Sequence, residues 1–105
     1  MAQFSEGQEA RIREAVDKMI SAYNLERLKD INFAFTATNP IDREHIVTIG
    51  TSILSTRWEI GYPGGSFVQA IVDNNLMETF ARADATNVNC IQFYVYLIYN
   101  QGYIA

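Results

Sequence analysis

The chain has 105 residues, 49% hydrophobic and 19% charged, a balance that excludes a disordered segment and fits one folded domain. Twelve acidic against eight scattered basic residues give a net charge of −4. That speaks against a nucleic-acid polymer as partner, because gripping a polyphosphate needs clustered Lys and Arg.

The elements are legible in chain order. Residues from about Ser5 to Tyr23 read as an amphipathic helix, with Ile12, Val16, Met19, Ile20 and Tyr23 on one stripe and Ser5 with Gln8 at capping-box spacing. Between Asn24 and Asn39 the signal weakens. Ile31, Phe33 and Phe35 alternate with Asn32, Ala34 and Thr36, which suits either a short strand or an irregular connector. Asn39-Pro40 is a helix start, since Asn caps and Pro fits the first helical position. This helix is expected to run to about Ile60 and stop at Gly61. Its apolar stripe is Ile46, Ile49, Ile53 and Ile60. Elsewhere it is rich in hydroxyls (Thr48, Thr51, Ser52, Ser55, Thr56), with Gly50 in its middle. Small polar residues at that density either permit close helix contact or line a polar cavity.

Tyr62-Pro63-Gly64-Gly65-Ser66 is turn chemistry followed by a hydroxyl suited to cap a helix. Pro63-Gly64 suits a type II turn, with positive φ expected at Gly64 or Gly65. Phe67, Ala70 and Ile71 continue an apolar face. Asn75 and Glu78 have capping-box spacing, which predicts a break near Asn74 and a new helix to about Ala83. Asp84 caps a last helix that reaches about Tyr99.

Every charge lies between Glu6 and Asp84, so the last twenty-one residues carry none. A terminal helix without a charged face is either enclosed by its own domain or shared with another subunit. In a chain this small a homo-oligomer is the expectation, with Phe93, Tyr96, Tyr99 and Tyr103 at the interface.

No catalytic or metal site is read from the sequence, and no cofactor. His45 is the one histidine, without H-x-x-x-H or C-x-x-C spacing around it. Cys90, the one cysteine, sits among Val88, Ile91 and Val95 and reads as a buried thiol in a reducing compartment. The first residues lack an apolar signal core. The longest apolar stretch, from Ile91 to Tyr99, is broken by Gln92 and too short to span a bilayer, so no membrane is expected. There is no phosphate-loop motif, but Gly64, Gly65 and Ser66 offer backbone N–H groups, Trp58 and Tyr62 offer flat rings, and Arg57 and Arg82 offer charge. With Asp84 and Asn87 as further contributors, such a set would hold a small nucleotide-type ligand by stacking and ion pairing. The competing reading makes the aromatics core or interface anchors and the turn a plain corner.

From Arg57 to Asn100 the chain resembles a family of small phage and prophage proteins of uncharacterised function. The resemblance rests on P-G-G-S-F-V-Q-A from Pro63, Asn74-Asn75-Leu76, Ala83-Asp84 with Asn87, and Tyr99-Asn100 closing the last helix. Asn75 stands where the family has an acid. The resemblance implies a non-enzymatic accessory protein of the bacterial host cytoplasm, for which removal of a nucleotide-type defence signal is one expected role. Inhibition of a host or phage protein through the aromatic C-terminal helix is the runner-up, and an enzyme is third. The expected fold is a mainly α, compact bundle of about five helices, with a strand-like or irregular segment after the first. It forms a single domain over residues 1–105, in which 1–39 hold the first helix and connector and 40–105 the motif-bearing module.

Overall fold

The computed structural model describes residues 7–27, 40–61 and 63–104. The fold is a mainly helical bundle, with five helices among the described residues: α1 (Gln8–Arg27), α2 (Pro40–Arg57), α3 (Ser66–Val72), α4 (Leu76–Arg82) and α5 (Ala85–Asn100). No strand occurs among the described residues, and the alternating segment Ile31–Phe35 lies outside them. None of the described helices is long and apolar enough to cross a membrane.

The stripe expected on α1 is the one that is buried. Ile12, Val16, Ile20 and Tyr23 are enclosed, and Met19 packs at their edge. They meet Ile46, Ile53 and Leu54 of α2 and Cys90, Phe93, Tyr94 and Leu97 of α5 in one hydrophobic core. Aromatic rings tie the helices together. Tyr23 of α1 lies 5.4 Å from Phe93 and 4.9 Å from Tyr96, and Phe67 of α3 lies 5.9 Å from Tyr94. Such tilted and edge-on pairs add directional attraction to the burial of area.

Charged side chains line the outer seam of α1 and α2. Arg13 pairs with Glu44 and reaches Thr48, while Arg43 donates from Nε to Asp17 (2.8 Å) and from Nη2 to the Ser21 hydroxyl (3.0 Å). Later residues of α1 meet earlier residues of α2, so the two run antiparallel. Exposed pairs like these add little stability but favour one register.

Gly50 and the hydroxyl-rich face of α2 serve close packing. A Cβ on Gly50 would stand 2.7 Å from Val16 Cγ1 and 3.2 Å from Leu97 Cδ2, so α1 and α5 both press against bare backbone there. Ser55 Oγ returns a hydrogen bond to the Thr51 carbonyl at 2.7 Å, and Thr56 Oγ1 accepts one from Gly64 N–H at 2.9 Å.

The end of α2 differs from the expectation of Ile60 and Gly61. The helix ends at Arg57, and Glu59 takes the left-handed conformation at φ 60. Ile60 N–H bonds to the Ser55 carbonyl (2.8 Å) and Glu59 N–H to that of Thr56 (3.2 Å), the paired pattern of a Schellman stop. Buried Ile60 supplies the apolar contact that commonly accompanies it. Gly61 follows at φ 68, so the chain turns twice in succession.

The same stop recurs after α3. Asn74 is left-handed at φ 59, Asn75 N–H bonds to the Ala70 carbonyl and Asn74 N–H to that of Ile71. Asn75 then caps α4, its side chain accepting from Glu78 N–H at 3.2 Å. Asp84 caps α5 by accepting from Asn87 N–H at 2.7 Å. Both caps match the sequence reading, and each is worth about 1 kcal/mol. Ser66 is not a cap: it is the first helical residue, and the cap position falls to Gly65, whose extended backbone brings no side-chain bond.

Candidate functional site

Of the residues expected to form a nucleotide site, only Arg57 lines the groove described below. Trp58 is half-buried, packs on the core and meets Tyr103 edge-on, with ring centroids 5.1 Å apart and planes at 80°. Arg82 is exposed and paired with Glu78 one turn earlier, at 3.0 Å. Asp84 and Asn87 start α5 beside His45. Arg57 is exposed at the end of α2, on the rim of a groove. Tyr62 lies outside the described residues.

The glycine turn is a packed corner. Gly64 N–H is already bonded to Thr56 Oγ1, and Gly64 carbonyl accepts from Gln69 Nε2 at 2.6 Å. Positive φ occurs at Gly61, not at Gly64 or Gly65. What Gly64 supplies is close approach, since a Cβ there would lie 2.5 Å from Val68 Cγ1 and 2.6 Å from Ser52 Oγ. Gly65 faces open space. Gly64→Ala is therefore expected to lower stability by more than about 1 kcal/mol through overpacking, and Gly65→Ser to be neutral or slightly stabilising as a better cap. Chemical denaturation of the two variants, with equal losses, would contradict this division.

Asn87 organises a polar cluster that sequence reading did not assemble. It is buried, and its Oδ1 accepts from Tyr94 Oη at 3.0 Å and from His45 Nε2 at 3.2 Å. A carbonyl oxygen can only accept, so this contact requires the hydrogen on Nε2 of His45. Asp84 Oδ2 stands 3.8 Å from the same nitrogen. Because forty-two residues separate His45 from Asn87, no local spacing announces the contact. Cys90 is completely buried, so it presents no nucleophile to a substrate.

Burial pushes the Tyr94 phenol well above its usual range, and Cys90 and Asp84 push the same way. The unfolded phenol ionises at about pH 10. The folded state holds this proton more tightly, so its contribution is complete below about pH 10 and is lost as pH rises above that value. Melting temperature is expected to fall more steeply above about pH 10 for wild type than for Tyr94→Phe. Parallel alkaline slopes for the two proteins would refute it.

A groove of about 500 Å³ lies between α3, α4 and α5. Ile71 and Val72 of α3, Leu76 and Thr79 of α4, and Ile91, Val95, Ile98 and Tyr99 of α5 line it, with Arg57 and Asn74 at its edge. Leu76 is 68% exposed, Val95 54% and Tyr99 81%; Met77 and Phe80 extend the patch along α4. Helix α4 packs chiefly on α3, which leaves its outer face uncovered. Arg57 has no ion pair or hydrogen bond among the described residues.

Of the expected interface residues, Tyr99 and Tyr103 are exposed and Tyr96 is half-buried against Tyr23. Phe93 is a correction: it is wholly enclosed by its own chain. Its place one turn from charge-free surface residues disguised a core position, because nothing on α5 marks its solvent face with charge. The groove residues were missed for the same reason, although Leu76, Met77 and Phe80 on one short helix are an apolar signal without an obvious inner side.

No protein-family model matches the chain, and it has no match among curated proteins or solved structures.

Proposed function

We propose that this chain is a non-enzymatic phage or mobile-element accessory module of the bacterial host cytoplasm, and that it works by burying an apolar protein segment in the α3–α4–α5 groove. The groove and its exposed rim of Leu76, Val95 and Tyr99 carry this reading. Contiguous exposed apolar surface of this kind on a small chain marks an interaction site, because its removal from water is favourable. The phage context rests on the resemblance of residues 57–100 alone and is analogy.

One observation favours a second reading, sequestration of a small nucleotide-type signal. Arg57 and Tyr99 share the groove, so a guanidinium and an exposed ring face one space. Against it stand the dispersal of Trp58, Arg82, Asp84 and Asn87 and the internal use of the Gly64 N–H.

Peptide selection on the immobilised protein separates the two. Apolar, aromatic-containing peptides should be enriched and should lose binding to Val95→Glu, while calorimetry against cyclic di- and trinucleotides and ADP-ribose gives no heat. Nucleotide heats that vanish in Arg57→Ala, with no peptide enriched, would overturn the protein-binding reading in favour of the signal.

A further inference from the structure

We infer that the occupant of the groove is a second copy of this chain, docked about a two-fold axis so that each copy's Tyr99 ridge enters the other's groove. This rests on the protein-binding reading of the same groove.

Three observations point to self-docking. First, the face is both knob and hole. Tyr99 stands out at 81% exposure beside Val95, directly on the wall of the concavity they border. An isologous contact requires one patch to complement itself, and a ridge next to a groove does so. Second, the face is free of the repulsion that a chain of net charge −4 otherwise brings to its own copy. The α5 wall carries no charge at all, and two charged residues near the groove are of opposite sign. Arg57 is on its rim, and Asp73 is exposed between the lining residues Val72 and Asn74. Both are exposed, and neither has an ion pair among the described residues. In a two-fold pair Arg57 of each copy meets Asp73 of the other, giving two reciprocal ion pairs at the rim. Third, five large apolar side chains on α4 and α5 are more than half exposed (Leu76, Met77, Phe80, Val95, Tyr99), an area on the order of several hundred Å². That approaches the roughly 800 Å² per partner of a standard stable interface.

The test is the mass of the full chain in solution by sedimentation equilibrium over a micromolar range, with four variants. Wild type should run as a dimer. Val95→Glu should be monomeric with an unchanged circular dichroism spectrum, since Val95 is on the surface. Arg57→Asp and Asp73→Arg should each weaken the dimer by at least about tenfold, by setting like charges against each other, and the double variant should regain most of the wild-type affinity. A structural lesion at either site would not be repaired by the second exchange. A monomeric wild type at tens of micromolar overturns the inference, as does a dimer that survives Val95→Glu or a double variant no tighter than the singles. Apolar peptide binding that persists in a monomeric wild type would overturn self-docking yet leave the groove's protein-binding role standing, so the two failures are distinguishable.

Discussion

Phe93→Ala is expected to remove about 3–5 kcal/mol of stability, the range for emptying a buried aromatic position. Phe93 is fully enclosed, with Tyr23 edge-on at 5.4 Å, Tyr94 at 5.8 Å and Tyr96 at 6.4 Å. Truncation deletes the ring that α1 and α5 share and leaves a cavity whose walls are themselves large rings, which cannot collapse into it without leaving their own contacts. A domain of this size typically has about 5–15 kcal/mol in total, so the variant should sit near the edge of folding. Urea denaturation measures the loss. The result should not vary with protein concentration, because the lost contacts lie inside one chain. A loss below about 1 kcal/mol, or one that shrinks on dilution, would mean that Phe93 belongs to an interface after all.

Gly50→Val should approach the top of the about 1–3 kcal/mol range for overpacking. Valine's Cβ alone would sit 2.7 Å from Val16 Cγ1, and its two methyl groups have nowhere to go, since Leu97 closes the other side at 3.2 Å. Replacing a mid-helix glycine ordinarily gains helix propensity, about 0.5 kcal/mol for valine. The sign of the measured change therefore decides between the two effects. Stabilisation would show that α1 and α5 part easily from α2, and that the glycine is not needed for their approach.

Much of the fold was legible because periodicity and capping are local. The α1 stripe, the Asn75 and Asp84 caps and the start of α2 at Pro40 follow from residues three or four apart. The stop of α2 was misplaced because glycine is the habitual left-handed residue, and here Glu59 takes that role two positions before Gly61. The candidate site was legible only in fragments. Arg57 and Tyr99 were singled out for separate reasons, and only the packing of α2 against α3 and α5 brings them to one groove. The Gly64-Gly65 pair looked like a flexible turn because sequence does not say what a missing side chain makes room for. The answer, Ser52 and Val68, comes from both sides of the turn.

The joint at Asn75 has a consequence for how the apolar rim is held. One residue closes α3 through its backbone N–H and opens α4 through its side chain, so the two helices are coupled without a spare link. An extra residue inserted after Asn75 would turn α4 by about 100° around its own axis. Leu76 and Phe80 would swing off the lip of the groove, and the angular phase of that lip is thus stored in a single asparagine.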